Sequence, residues 1–193
     1  MDNLRPTLWR TCRVIACETR LRLLWFLFEQ NNLCISDLAE ITGISDQNAS
    51  NQLRALGARG LIAPHRKSLK VFYRPEPNPA AGDAESLLNA LRACHDANMT
   101  FKTIIRQATA FTHVRRIVIA CALRGSPASF GELQEKTGIS PAALSHHLTK
   151  LQARDFVKRV DGVYRLHAPG NPFGRELLRI VRSGTALGAP DNS

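Results

Sequence analysis

An internal repeat constrains this chain more than any other feature. Thr42–Ser45 reappears 95 residues later as Thr137–Ser140. The same register continues through three further matches, in which Ser50, Leu53 and Leu56 correspond to Ser145, Leu148 and Leu151. Self-similarity at a fixed spacing predicts a repeated structural unit. We therefore expect two domains, residues 1–98 and residues 99–193, which together account for the 193 residues of the chain.

The repeat extends upstream with a changed spacing. Thr7 and Leu8 match Thr100 and Phe101, and Thr19–Arg22 matches Thr112–Arg115, both at an offset of 93 residues. The change from 93 to 95 predicts a two-residue insertion in the second copy, which we place around Gly125–Pro127.

Each copy begins with helical patterns. Ile15–Phe28 and Val114–Leu123 are predicted to form largely buried helices, because apolar residues occupy several of their faces. A short helix follows in each copy, over Ser36–Thr42 and Ser129–Thr137. We expect Ser36 to be the N-cap of the first short helix. A glycine that can adopt a positive φ follows each short helix, at Gly43 and Gly138.

A second helix comes directly after each glycine turn, and Ser45 and Ser140 are its predicted N-caps. The apolar residues recur at i, i+4 and i+7 and so share one face. They are Ala49, Leu53 and Leu56 in the first copy and Leu144, Leu148 and Leu151 in the second. Two helices joined by a short glycine-containing turn form a helix-turn-helix.

A β-hairpin is predicted after each helix-turn-helix. In the second copy, Phe156–Val160 and Val163–His167 flank Asp161 and Gly162, a dipeptide that favours a two-residue type I′ turn. In the first copy, Leu61-Ile62 and Val71–Tyr73 flank a longer basic tip, residues 65–70. The expected fold class is α+β and mostly helical, with two tandem winged helix-turn-helix domains.

These motifs resemble the ArsR-type winged-helix transcriptional regulators. The residues that carry the resemblance are Leu38–Ser45 and Ala49–Leu56 in the first copy, and Thr137–Ser140, Leu144–Leu151 and Val163-Tyr164 in the second. The resemblance implies a dimer that packs its first and last helices together. The equivalent helices here would be Leu4–Cys17, Glu85–Ala97, Thr100–Phe111 and Phe173–Ser183. With both copies on one chain, we expect an intramolecular pseudo-dimer in a monomeric chain.

The outward face of the second helix is the predicted reading surface for double-stranded DNA. In the first copy this face carries Gln47, Asn48, Ser50, Asn51, Gln52 and Arg54, and in the second Ala142, Ala143, Ser145, His146, His147 and Lys150. Amide side chains can bond an adenine edge, small residues can touch a thymine methyl, and cations suit phosphate or guanine. The family pattern implies that Ser50 and Ser145 are contact positions. The predicted wing contacts are Arg66, Lys67, Lys70, Lys158 and Arg159.

Net charge supports a polyanionic partner. The chain carries a formal charge of +10. The first copy contributes 12 basic and 10 acidic side chains, and the second 14 and 6, so the second copy holds +8 of the total. Arg115 and Arg116 supply part of that surplus. We infer that the second copy anchors DNA through phosphates, while the amides and wing of the first copy add base selectivity.

Two alternatives remain beside a DNA-binding repressor, the role that the resemblance implies. A metal or thiol sensor is one. Relatives carry a pair of cysteines at this point, but here only Cys34 is present and Ser36 stands in place of the second cysteine. A single thiolate cannot hold a tetrahedral ion. A site joining Cys34 with Cys12 or Cys17 stays conceivable; we predict no cofactor. A protein-interaction module is the second, since Asp46 would repel phosphate from the first reading helix. We do not expect an enzyme, because the sequence carries no phosphate loop, metalloprotease motif or nucleophile elbow.

The expected location is the cytoplasm. Five cysteines without a framework spacing suit a reducing compartment. The apolar stretches Leu21–Phe28 and Ile117–Leu123 are far shorter than the roughly 20 residues that cross a bilayer. Residues 1–6 lack a charged segment followed by an apolar one, which predicts that no secretory signal is present.

Overall fold

The same order of helices and strands occurs twice along the chain. The computed structural model describes residues 7–30 and 32–187, and within them ten α-helices and five short strands. The first copy contains α1 Leu8–Ile15, α2 Glu18–Glu29, β1 Leu33–Cys34, α3 Ile35–Thr42, α4 Asp46–Gly57, β2 Ala63–Lys67, β3 Lys70–Arg74 and α5 Ala84–Asp96. The second contains α6 Phe101–Ala108, α7 Val114–Ala122, α8 Phe130–Thr137, α9 Pro141–Gln152, β4 Val157–Val160, β5 Val163–Leu166 and α10 Pro172–Ser183. The prediction of a mostly helical α+β chain with tandem winged helix-turn-helix domains is confirmed.

The two short helices end as predicted but do not begin alike. Gly43 and Gly138 close α3 and α8 with φ of 69° and 63°, a conformation that costs glycine little. Ser129 caps α8, and the Glu132 carboxylate accepts from the Ser129 backbone N–H at 2.6 Å. The prediction that Ser36 caps α3 is wrong. Cys34 is the N-cap, because its backbone N–H donates to Asp37 Oδ2 at 2.8 Å and fixes the helix start.

The predicted helix Ile15–Phe28 is in fact two helices, because the chain turns at Ala16–Cys17 between α1 and α2. An arginine closes this corner: Arg20 Nε donates to the Val14 carbonyl oxygen at 2.6 Å. This bond satisfies a carbonyl at the end of α1 that has no partner inside the helix. Of the other helix predicted here, Leu4–Cys17, residues 4–6 lie outside the described residues.

Arg116 forms the same corner in the second copy, where its Nε donates to the Ala110 carbonyl oxygen at 2.6 Å. Arg116 is therefore the counterpart of Arg20, an offset of 96 rather than 93. Two residues separate α1 from α2, whereas residues 109–113 separate α6 from α7. The predicted insertion around Gly125–Pro127 is wrong; the extra residues lie between α6 and α7.

The reading helices bury the predicted apolar stripes. Ala49, Leu53 and Leu56 on α4 are at most 1% exposed, and the α9 stripe of Leu144, Leu148 and Leu151 is buried to the same degree. The α4 stripe packs against α3 and α2, and α9 packs against α7. The opposite faces of α4 and α9 are left toward solvent.

Both hairpins have two-residue turns. Asp161 and Gly162 join β4 to β5 with φ of 50° and 80°, as a type I′ turn requires. The longer tip predicted for the first copy is wrong, because β2 and β3 pair as far as Lys67 and Lys70. Only Ser68 and Leu69 form that turn, with Ser68 at φ 55°. The basic residues of this wing therefore lie on paired strands.

Equivalent helices of the two copies pack against each other. α5 packs on α10, and α1 packs on α6. Arg179 on α10 donates to Ser86 Oγ at 3.2 Å and lies 3.5 Å from Asp83 Oδ1 at the start of α5. The Trp25 and Phe101 rings meet edge to face with centroids 5.4 Å apart. The buried apolar residues of both copies form one continuous core. No helix in the described part of the chain is long and apolar enough to cross a membrane.

Candidate nucleic-acid interface

The outer face of α4 carries mostly amide side chains. Ser45 caps the helix as predicted, its Oγ accepting from the Asn48 backbone N–H at 3.3 Å. Gln47, Asn48, Asn51 and Arg54 are exposed, whereas Ser50 and Gln52 are half-buried. The face can therefore offer both donors and acceptors to base edges.

The side chain of Gln52 on this face is hydrogen-bonded by Arg20, the arginine of the α1–α2 corner. Arg20 Nη1 donates to Gln52 Oε1 at 2.9 Å, and Gln52 Nε2 donates to Asn48 Oδ1 at 2.9 Å. With both ends of its amide engaged, Gln52 positions the exposed side chain of Asn48. Sequence reasoning missed Arg20, because only the long-range packing of α2 on α4 brings the two side chains together.

The first wing adjoins this helix. Arg66, Lys67 and Lys70 are all exposed. A cleft of about 450 Å³ lies between the start of α3, the start of α4 and β3, and both reading-helix and wing residues line it, among them Gln47, Ser50, Leu69 and Lys70. Asp46 also lines the cleft. The structure thus brings the predicted helix and wing residues of the first copy to one surface.

The outer face of α9 is smaller and less amide-rich. Ala142, Ser145 and His146 are exposed, and Ala143 and Lys150 are half-buried. The second wing adds Lys158 and Arg159, both exposed. Arg159 lies over the Tyr164 ring, its Cζ 5.4 Å from the ring centroid, which limits the directions that the guanidinium can take.

One residue assigned to this surface from sequence, and one counted toward the charge of the second copy, are buried. His147 is 7% exposed, so the prediction that its side chain lies on the outward face is wrong. It occupies the α9 position that matches Gln52 and faces α7, with its ring centroid 4.8 Å from that of His113. Arg116, counted toward the net charge of the second copy, is also 7% exposed and donates to the Ala110 and Thr109 carbonyl oxygens and to Thr112 Oγ1.

The buried histidine is neutral near pH 7. Burial, followed by the nearby cationic groups of His113 and Arg116, lowers the pKa of His147 to about 4. Its Nδ1 atom is buried and has no hydrogen-bond partner within the described structure. In the first copy, Arg20 satisfies the corresponding amide of Gln52.

A cationic cluster that the sequence did not reveal lies beside α9. His113 caps α7, its Nδ1 accepting from the Arg115 backbone N–H at 3.1 Å. Burial, then Arg116, Arg115 and Arg13, lower the pKa of His113. Arg13 comes from α1 of the other copy, and it lines a small pocket of about 260 Å³ together with His113. Arg13 thus brings a positive charge from the first copy to the start of α7 in the second.

The cysteines are dispersed. Cys12, Cys34 and Cys94 are buried, and Cys17 and Cys121 are half-buried. Cys34 Sγ lies 3.0 Å from Ser36 Oγ, at the start of α3. Among residues 7–30 and 32–187, no group of three or more His, Cys, Asp or Glu side chains is placed to hold a metal ion.

The reading helices fall inside segments that match a known family. The model of the bacterial regulatory protein, arsR family, matches residues 17–63 and residues 113–159, once in each copy. The two segments begin at the N-caps of α2 and α7, run through both helices of each helix-turn-helix, and reach into the hairpin. They place the chain in DNA-binding transcriptional regulation. The chain carries two tandem ArsR-family domains, and through them it belongs to that family of regulators.

Proposed function

We propose that this protein is a sequence-specific repressor that binds double-stranded DNA in the cytoplasm and blocks transcription by occupying its operator. The observation that supports this proposal best is the exposed polar face on both α4 and α9, each opposite a fully buried leucine stripe. Exposed cations on the adjoining wings, among them Lys67 and Lys158, suit the phosphate backbone.

The packing of the two copies supports a two-fold arrangement. In an isologous interface the same patch of both units takes part, and elements next to the two-fold axis meet their own equivalents. Here α1 meets α6 and α5 meets α10, which are equivalent pairs. We infer an intramolecular pseudo-dimer of domains 1–98 and 99–193 that works as a monomeric chain. A two-fold relation places α4 and α9 symmetrically about the axis, suited to two half-sites about 34–36 Å apart.

The two reading faces differ chemically, which favours a non-palindromic operator. The α4 face offers the amides of Asn48 and Asn51, whereas the α9 face offers Ala142, Ser145 and His146. The second copy also carries most of the net charge. The second copy therefore anchors the chain on phosphates, and the first contributes most of the base selectivity.

Selection of bound fragments from a pool of random duplexes tests the proposal. We expect two unlike half-sites about one helical turn apart. A perfect inverted repeat bound by two chains would contradict the pseudo-dimer. If no duplex is enriched, the protein-interaction alternative gains support, since Asp46 is exposed at the start of α4.

The division of labour is tested by salt titration. Arg159→Ala should lower the slope of log K against log salt by about 0.9, the contribution of one phosphate contact. Arg66→Ala should reduce the preference for the selected duplex over random DNA more than it reduces the slope. Arg182→Ala is the charge-matched control, because Arg182 lies exposed in the last turn of α10, and its slope should equal that of the wild type. Equal losses of slope for Arg159→Ala and Arg66→Ala would refute the division.

A further inference from the structure

The tip of the first wing carries an apolar side chain with nothing to pack on. Leu69 is fully exposed, whereas the other exposed large apolar side chains among the described residues are 40–44% exposed. It stands in the two-residue turn between β2 and β3, where glycine, asparagine and aspartate are the usual residues. A leucine at this position gains nothing from the fold of this chain.

The surroundings of Leu69 are cationic. Lys67 and Lys70 are paired across the hairpin directly beside the turn, and both are exposed. Arg66 precedes them and is exposed as well. An apolar side chain between two lysines suits a partner whose anionic groups border a cleft with apolar surface inside it.

The minor groove of duplex DNA has this form. Its phosphates border a groove about 6 Å wide, the edges of the base pairs form its floor, and the apolar faces of the bases lie stacked between successive steps. Two paired strands lie about 4.8 Å apart, so a hairpin that narrows to two residues can enter edge-on. Proteins that bend DNA insert side chains such as leucine between base steps and unstack them.

The position of Leu69 relative to α4 points to the same partner. Leu69 and Lys70 line the cleft that Gln47 and Ser50 of the reading helix also line. A duplex held in its major groove by α4 therefore presents the flanking minor groove to this wing.

The second wing lacks the corresponding group. Its turn consists of Asp161 and Gly162, both exposed, and so offers a carboxylate and no apolar side chain. A carboxylate at that tip would be repelled by phosphate. Deformation of the DNA is therefore expected at one flank only.

We propose that Leu69 is a wedge that enters the minor groove beside the α4 half-site and unstacks one base step there. Lys67 and Lys70 bind the phosphates on the two sides of the groove. This inference rests on the proposed function, because it requires that α4 lies in the adjacent major groove.

Fluorescence of 2-aminopurine tests the wedge, since the base brightens when it is unstacked. The probe is a duplex of about 30 base pairs recovered by the selection described above, labelled in turn at each step of both flanking minor grooves. We expect the wild type to raise the fluorescence at one flank. Leu69→Ala should abolish that rise and weaken binding about tenfold, with an unchanged salt slope because both lysines remain.

Two variants complete the test. Leu69→Phe should retain the rise, because phenylalanine is also a wedge residue. Val160→Ala removes a 40% exposed apolar side chain beside the turn of the second wing, and it should behave as the wild type. Fluorescence that persists in Leu69→Ala, or that rises equally at both flanks, would overturn the wedge. If the wild type binds the duplex without any rise in 2-aminopurine fluorescence, the wedge alone is overturned. If the wild type binds no duplex, the proposed function is overturned together with the wedge.

Discussion

Replacement of His147 by glutamine should remove much of the acid sensitivity of this fold. His147 is buried, its ring lies against that of His113, and its pKa is lowered to about 4, from an ordinary value of about 6.5. A group with a lowered pKa in the folded state binds protons more readily when unfolded. Its contribution to stability is therefore present above about pH 6.5 and is lost as the pH falls toward 4.

The size of the effect follows from proton linkage. With pKa values of about 4 folded and 6.5 unfolded, His147 makes the chain less stable at pH 5 than at pH 7 by about 1–2 kcal/mol. His147→Gln introduces the residue found at the matching position, Gln52, which accepts a hydrogen bond from Arg20. Arg116 is the equivalent donor, so we expect the variant to fold and to be at least as stable as the wild type at pH 7.

Urea unfolding at pH 7, 6 and 5, followed by tryptophan fluorescence, measures the difference. The variant should lose about 1–2 kcal/mol less than the wild type between pH 7 and pH 5. Some acid sensitivity should remain, because burial and nearby cations also lower the pKa of His113. His146→Gln removes an exposed imidazole from the same helix and should follow the wild type. If His147→Gln loses as much stability as the wild type between pH 7 and pH 5, the buried imidazole is not the source of the acid sensitivity.

Two further predictions concern the fold. Gly60→Ala should destabilise the chain by about 2–4 kcal/mol in urea unfolding, because Gly60 has φ +68° and an added Cβ would lie 2.5 Å from Ala81 Cβ. Gly43→Ala is its control: Gly43 has a similar φ but open space around it, so its cost should be about 1–2 kcal/mol, and equal losses would contradict the close approach at Gly60. Residues 1–98 and residues 99–193 expressed separately should each show reduced helicity by circular dichroism and no cooperative thermal transition, since each half exposes its share of the common core. A cooperative transition in either half would refute the shared core.

Local signals predicted much of this fold. Gly43 and Gly138 end their helices as expected, and Asp161 and Gly162 form the expected turn, because each depends on the backbone preferences of the residues themselves. The leucine stripes were predictable for the same reason, since helical periodicity selects the buried face.

The errors arose where a distant or atypical partner decides the outcome. Cys34 replaces Ser36 as N-cap because the Asp37 carboxylate bonds its backbone N–H, a role for cysteine that residue preference does not indicate. The strands of the first wing pair further than predicted, and its turn is correspondingly shorter, because Ser68 adopts a positive φ without a glycine beside it.

The candidate interface was predictable in outline only. Periodicity identifies the outer face of each reading helix but not its border, and His147 lies on the buried side of that border because α7 covers it. Likewise, nothing in the sequence near Arg13 indicates that α1 carries it to His113 in the other copy. The DNA contacts of the remaining residues stay predictions.

The pairing of α5 with α10 within a single polypeptide affects how the protein responds to dilution. Two separate subunits give up translational and rotational freedom, an estimated 4–15 kcal/mol, each time they associate, and so fall apart as their concentration drops. Here Arg179 and Asp83 belong to the same covalent chain, and so their helices stay together at any concentration. A cell that holds only a few copies of this protein would still hold every one of them with α5 packed on α10.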